Sequence, residues 1–255
     1  MENLDRPLIF VAHPDDETIA CSGLLQRAAA SLVVFAVDGA PPRYGFERKF
    51  TSLQKYSERR FLEASRSLAL VPGCAFRRLR RPDGSHFVDQ HLFQDLPEAF
   101  AALLELAAAF SPDVLVSHAY EGGHIDHDAC SFLAMQSART LGLKHLEFPL
   151  YWKSESGRDV FQEFRGGRED ELVLKLSRHE IAVKERMLAE YRSQEGLLQV
   201  FRSSTERFRP ASAENFAFRK LSDYAFENRR RRLRAESFLR KVADLEDSLK
   251  VHTIL

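Results

Sequence analysis

The chain has 255 residues, 44% of them hydrophobic and 29% charged, enough to bury a sizeable core without staples. Lys plus Arg and Asp plus Glu both number 37, so the formal charge is zero, which argues against a protein built to grip nucleic acid or an anionic membrane. Cys21, Cys74 and Cys130 form no CxxC pair, which excludes a disulfide framework and a thiolate zinc knuckle and fits a reducing, cytoplasmic setting.

The start of the chain carries no basic stretch followed by a long apolar run, so no signal peptide is expected. No apolar run reaches membrane-spanning length; the best, residues 99–110, contains Glu105. Residues 8–12 predict a first strand. It delivers the chain to His13, Pro14, Asp15, Asp16 and Glu17, an imidazole and three carboxylates at one strand exit. Like charges this close repel, so a positive partner is expected there.

Residues 18–30 predict a helix and residues 32–37 a second strand, followed by a loop at Asp38-Gly39-Ala40-Pro41-Pro42. Apolar residues at helical spacing (Leu53, Tyr56, Phe61, Leu62, Leu68) predict a helix over 52–70, stopped by Val71-Pro72-Gly73. Residues 74–79 predict a third strand. A helix begins at Pro97 and is broken by Pro112, and residues 114–117 predict a fourth strand. A helix over 128–141 ends at Gly142, and residues 146–152 predict a fifth strand.

After Trp152 the texture changes. Residues 161–164 and 172–176 flank Arg165-Gly166-Gly167-Arg168 and suggest a hairpin. A helix over 178–193 and a charged helix over 222–249 follow. Arg229 to Arg232 and Arg234 share that last segment with Glu227, Glu236, Asp244, Glu246 and Asp247, so it reads as a solvated face or a subunit contact rather than a nucleic-acid patch. Phe201, Phe208, Phe216 and Phe218 read as core first, then as pocket or dimer surface.

Continuous apolar strands separated by amphipathic helices predict an α/β fold: a Rossmann-like, mostly parallel sheet with helices on both faces. That core spans residues 1–150. A C-terminal extension of mixed strands and helices, residues 151–255, packs on it within one domain. Ligands of such sheets bind beyond the carboxyl ends of the strands. The loops after strands one, two and four should therefore open onto one crevice.

The loop after strand four holds three of the nine histidines within ten positions: His118, His124 and His127, with Gly122, Gly123 and Asp126 between them. Set beside His13 and Asp16, they offer imidazole and carboxylate ligands to a borderline divalent cation, zinc first. Three protein ligands would leave one position open for water. No G-x-G-x-x-G follows strand one, residues 39–45 do not supply one, and no GxSxG elbow is present. A dinucleotide-dependent oxidoreductase and an α/β-hydrolase are thereby disfavoured.

AHPDDE at residues 12–17 and HIDH at residues 124–127 together resemble the LmbE-like, or PIG-L, family of zinc-dependent de-N-acetylases. That family removes acetyl groups from N-acetylglucosaminyl compounds and their relatives. Weaker echoes are Asp38-Gly39, Arg60 with Glu63, Pro82-Asp83-Gly84, and Tyr191-Arg192-Ser193-Gln194 after Lys184, so the likeness covers most of residues 8–210. Arg60 and Glu63 also fit a plain helix-surface ion pair.

The resemblance implies one Zn²⁺ per chain held by His13, Asp16 and His127, other divalent metals remaining open. It implies Asp15 as the general base for a zinc-activated water. His124 becomes the imidazole that stabilises the oxyanion or protonates the leaving amine, and Asp126 the group that holds that imidazole. Asp38, Arg60, Asp83 and Tyr120 become candidate substrate contacts. The implied partner is a small-molecule amino sugar or glycoconjugate, with neither nucleic acid nor membrane, and a homo-oligomer remains open. An amidase acting on another acyl-amine and a non-catalytic sugar-binding relic are the rival readings. The sequence departs from the family pattern at Ile125, where a proline is usual, and at Ala20 and Ser22, where glycine is preferred; the helix is then expected to pack slightly farther from the sheet.

Overall fold

The computed structural model of the protein describes residues 4–42, 50–166, 169–201, 204–211, 224–229 and 234–253. β1 (Pro7–Val11), β2 (Ser31–Phe35), β3 (Cys74–Arg78), β4 (Val114–His118) and β5 (Lys144–Phe148) are parallel neighbours in the order β3-β2-β1-β4-β5. β6 (Tyr151–Lys153) and β7 (Asp159–Phe161) form a separate two-stranded ribbon. β8 (Leu172–Lys175) and β9 (Thr205–Pro210) complete a seven-stranded sheet as antiparallel strands beyond β5.

The connections are α1 (Asp16–Arg27), α2 (Leu53–Leu68), α3 (Leu96–Phe110), α4 (Ile125–Leu141), α5 (Arg178–Glu190), α6 (Glu195–Leu198), α7 (Ala225–Arg229) and α8 (Ala235–Thr253). Strand alternation sorts the core. Leu8 and Phe10 of β1 join Leu103, Phe132 and Phe238 on the face covered by α3, α4 and α8. Ile9 and Val11 join Leu24, Phe61 and Met187 on the face covered by α1, α2 and α5. Both faces are buried, which is why β1, β2 and β4 carry consecutive apolar residues instead of alternating ones. Each fully buried Leu, Ile or Phe contributes about 1.5–3 kcal/mol.

Three expectations are corrected. The fifth strand stops at Phe148, because Pro149 has no N–H for the ladder; the chain resumes in β6, and the Leu150 N–H is taken by the Glu121 carboxylate at 2.9 Å. The segments flanking residues 165–168 do not pair with each other: β7 pairs with β6, and β8 with β9. The final charged segment is two helices, α7 and α8; Arg230 to Arg232, Phe216 and Phe218 lie outside the described residues.

β9 was hidden by its charges. Within TERFRP, Glu206 pairs with Lys184 at 3.0 Å, Arg207 with Glu171 at 3.2 Å and Arg209 with Glu147 at 2.6 Å. Glu206 also accepts from Ser22 Oγ and the Gly23 N–H, both at 2.9 Å, while Lys184 Nζ donates to the Ile19 carbonyl at 2.7 Å. A buried ion pair thus ties the C-terminal part to α1. Gly23 lies close against that junction: a Cβ there would lie 2.2 Å from Leu176 Cδ2, and the Leu176 side chain would have to shift to admit it.

Candidate metal centre and active site

In the strand order β3-β2-β1-β4-β5 the chain winds one way from β1 and the other way from β4, and a crevice opens where the two directions part. The loops leaving β1 and β4 meet there. His13 Nδ1 stands 3.4 Å from Asp16 Oδ2 and 3.2 Å from His127 Nε2, and His127 Nε2 stands 3.6 Å from Asp16 Oδ2. Donors about 2.1 Å from one tetrahedral cation are about 3.4 Å apart. The three side chains therefore already have the spacing of a shared ion, and they suit a divalent metal.

Charge is arranged to match. Burial works against the Asp16 anion, but His127 and His118 hold its carboxyl well below the usual range. Burial and the neighbouring His118 keep His127 neutral, its pKa well below the ordinary value. Burial also opposes a charged His13, yet Asp89, Asp126 and Asp16 raise it well above the ordinary value. The positive partner expected beside the carboxylates is Arg60, 2.8 Å from Asp15, while His13 stands among the Asp16, Asp89 and Asp126 carboxylates, where a bound cation would also be favoured.

His118 adds to this centre, although the resemblance places it outside the ligand set. Its ring stacks on that of His127, centroids 4.1 Å apart, its Nε2 lies 3.3 Å from Asp16 Oδ2, and the Ala12 N–H reaches Nε2 at 3.1 Å.

Asp15 sits beside the triangle in a strained conformation, φ 128°, rare for a residue with a Cβ. Two side chains hold it there. Arg60 donates to the Asp15 carboxylate at 2.8 Å, the Pro14 carbonyl at 2.6 Å and the Gly39 carbonyl at 3.0 Å. Glu17 accepts the Asp15 N–H at 3.0 Å and is itself bonded by Thr18 Oγ1 and the Tyr191 hydroxyl. Burial pushes the Asp15 carboxyl up to about 7, with Arg60 pulling it down and Asp16 pushing it further up.

His124 is the N-cap of α4, its Nδ1 accepting the Asp126 N–H at 3.2 Å. A nitrogen that accepts carries no proton, so the neutral ring keeps its proton on Nε2. The Asp126 carboxylate accepts from the Gln90 and Leu92 N–H groups and lies 3.7 Å from His13 Nε2. Asp126 thus fixes the His124 ring through its main chain, while its carboxylate anchors the 90–92 turn and faces His13.

A cavity of 430 Å³ opens above these groups, lined by His13, Asp15, Asp16, His124 and His127 at its polar end. Of the expected substrate contacts, Arg60 lines it but is 5% exposed and bound to the Asp15 loop. Asp38, Asp83 and Tyr120 are not among the lining residues. The Asp38 carboxylate accepts from the Ala40 and Asp89 N–H groups. Asp83 closes an exposed turn by accepting from Ser85, and the Tyr120 hydroxyl meets that of Tyr224 at 2.7 Å.

The loop that carries Asp83 returns to the cavity at Asp89 and Gln90. Tyr56 and Gln194 line another wall, Gln194 Nε2 donating to the Tyr56 hydroxyl at 2.6 Å. None of these four was singled out from the sequence as a site residue. A weak signal existed for Gln194, which lies in the stretch that carries Tyr191. The outer wall is apolar, with Tyr151, Phe161 and Phe201 inside and Leu197 and Val200 at the mouth, 61% and 54% exposed.

The sequence signature of PIG-L, the GlcNAc-PI de-N-acetylases, matches residues 8–138, a span that holds both motifs and every residue of the triangle. The chain belongs to this family. No protein of curated function matches it by sequence. Among solved structures it is similar to a triple mutant of the deacetylase of the teicoplanin biosynthetic pathway, with 20% identity and a TM-score of 0.64 over 80% of this chain and 97% of that one. It is similar to the N,N'-diacetylchitobiose deacetylase of Pyrococcus horikoshii, with 17% identity and a TM-score of 0.57 over 86% and 88% of the two chains. It is also similar to the 4-carboxy-2-hydroxymuconate hydratase of Pseudomonas putida, with 14% identity and a TM-score of 0.56 over 86% and 99%. At these identities the likeness is one of PIG-L-type fold. The hydratase marks the limit of that argument, because one fold hosts more than one reaction. Among the described residues no helix is long and apolar enough to cross a membrane.

Proposed function

We propose that the protein is a divalent-metal-dependent deacetylase that hydrolyses the N-acetyl group of an amino sugar of the N-acetylglucosamine type or of its glycoconjugate. One observation carries the reading: the His13, Asp16, His127 triangle at cation spacing, with Asp15 and His124 lining the same cavity. Family membership and the deacetylases among its structural neighbours support it.

His13, Asp16 and His127 would hold the ion. Bound there, a divalent cation such as zinc polarises an amide carbonyl and acidifies water. The remaining work falls to the chain's own side chains. Asp15, with a pKa of about 7, accepts the proton of the attacking water near neutral pH. Arg60 keeps its carboxylate aimed and off the cation. His124, with its proton on Nε2, donates to the oxyanion or to the departing amine. Leu150 and Tyr151 line the cavity beside these groups, and the low-dielectric wall they supply strengthens each of these interactions. Acid–base groups of this kind contribute about 10²–10⁴-fold each.

The test is an acetate-release screen over N-acetylated sugars and conjugates, with metal-stripped and zinc-restored protein side by side. Acetate from an amino sugar only after zinc restoration supports the reading, and silence across the panel overturns it. A second reading, an amidase acting on another acyl-amine, is favoured by the apolar mouth at Leu197 and Val200. N-acetyl alkylamines belong in the same screen.

A further inference from the structure

Tyr191 lies outside the span that carries the family signature and is not among the residues lining the cavity. It closes α5 and is fully buried, and its hydroxyl donates to Glu17 Oε1 at the start of α1. The same oxygen accepts Thr18 Oγ1 at 2.6 Å, and Glu17 Oε2 accepts the Asp15 N–H at 3.0 Å. Among the described residues no lysine or arginine bonds this carboxylate, although it is fully buried. A buried anion held by neutral donors alone is costly, and an apolar pair of the same shape would fill the space without that cost. Packing alone does not call for a glutamate and a tyrosine here.

What the pair touches is the loop that carries Asp15. That residue keeps φ 128°, a conformation that persists only where its surroundings over-determine it. Arg60 holds its carboxylate and Glu17 holds its main chain. The turn after α5 latches both holders. Ser193 Oγ donates to Glu63 Oε2 at 2.6 Å, on the helix that carries Arg60, while the Tyr191 hydroxyl secures Glu17. Without that hydroxyl, Glu17 loses one of its three donors, its grip on the Asp15 N–H loosens, and the Asp15 backbone can relax toward an ordinary φ. We propose that Tyr191 is a positioning residue: through Glu17, it keeps Asp15 in the strained conformation that aims its carboxylate into the cavity beside the His13, Asp16, His127 triangle. The inference rests on the deacetylase reading and adds to it a requirement for the C-terminal part of the chain in the proton-transfer step.

The experiment measures kcat and KM for acetate release from N-acetylglucosamine and from its p-nitrophenyl glycoside, which stands for a conjugate. Zinc-loaded parent and variants are compared, with metal content and Tm measured for each. Tyr191→Phe is expected to lose about 10- to 100-fold in kcat, with KM and metal content little changed. In an Asp15→Asn background the same substitution is expected to remove nothing further, because its effect passes through Asp15. Met187→Ala, on the buried face of the same helix, is expected to lower Tm at least as far and to leave kcat unchanged, which separates positioning from general loosening. Glu17→Gln keeps an oxygen for the Asp15 N–H and is expected to retain more of kcat than Glu17→Leu. An active parent with Tyr191→Phe unaffected, an equal fractional loss by Tyr191→Phe with and without the Asp15 carboxylate, or an equal loss of kcat by Met187→Ala overturns this inference alone. A parent that releases no acetate from either sugar overturns the deacetylase reading and this inference with it.

Discussion

Arg60 lies against Asp15, its Nη2 donating to the carboxylate at 2.8 Å and to the Pro14 carbonyl at 2.6 Å, with both side chains buried. This contact assigns the arginine of the R-x-x-E pattern to the loop that carries Asp15, the proposed base. Arg60→Ala should therefore lower kcat, by about 10–100-fold, with little change in KM, and should cost about 3–5 kcal/mol of stability by leaving a buried carboxylate unpaired. Arg60→Lys keeps the charge but lacks the planar fork that reaches three acceptors, so it should recover stability in part and kcat hardly at all. Steady-state kinetics and urea unfolding of both variants check this.

His124 and His13 line the same cavity but should fail differently. His124→Ala is expected to retain its metal and lose about 10²–10⁴-fold in kcat. His13→Ala is expected to lose metal and activity together, since a corner of the triangle is gone. Metal analysis of the two purified variants separates the cases; full metal content in the His13 variant would contradict the ligand assignment.

Zinc should stabilise the fold. A ligand that binds only the folded state at a hundredfold excess over its Kd adds about 2.7 kcal/mol. The Tm should rise with added zinc, fall back with chelator, and respond weakly in Asp16→Asn. A thermal scan across a zinc titration reads this directly.

Gly123 separates Gly122 from His124, and a Cβ on it would lie 1.9 Å from the Tyr151 carbonyl oxygen. That oxygen belongs to backbone, so the clash is relieved only by moving one cavity wall away from the other. Gly123→Ala should lower stability by about 1–3 kcal/mol and kcat/KM by about tenfold or more. Gly142→Ala is the control for kinetics: it caps α4 far from the cavity, at φ 65°, with open space around its Cβ position. It should cost some stability and leave kcat unchanged.

One pH dependence can be assigned away from the metal centre. The Arg27 side chain bonds Glu180 and holds its carboxyl at about 2, below the unfolded value of about 4.3. A depressed carboxyl contributes its stability above the unfolded pKa and loses it as pH falls through the folded one. The pair faces solvent, so the contribution is about 1 kcal/mol at most. The stability difference between the parent and Glu180→Gln should be largest above about pH 5 and shrink steadily below it; chemical unfolding from pH 3 to 7 measures it.

Much of this was legible in the chain. The apolar runs of β1, β2 and β4 announce strands buried on both faces, and the helical spacing of Tyr56, Phe61 and Leu68 announces α2, because local periodicity is set by which faces are buried. The clustering of His13, Asp16, His124 and His127 at predicted strand exits pointed to one crevice, since a doubly wound sheet brings those exits together. β9 was not legible, because its charges are neutralised by Lys184, Glu147 and Glu171, residues distant in sequence. Nor was the part played by Asp89 and Gln90, whose segment carries no periodicity and whose meaning comes from the groups it meets.

The amino-acid order by itself determined which side chains are available for metal binding and proton transfer, and that they leave the sheet at the tips of two strands. The tertiary structure alone decided their duties: that Arg60 bonds Asp15, that Asp126 serves His124 through its main chain, that His118 stacks on His127, and that Asp83 stays in an exposed turn while Gln90 reaches the cavity. The physical reason is range. Periodicity and strand exits follow from neighbours a few residues apart, whereas a hydrogen bond or a pKa depends on groups within a few ångströms, and folding draws those from anywhere along the chain.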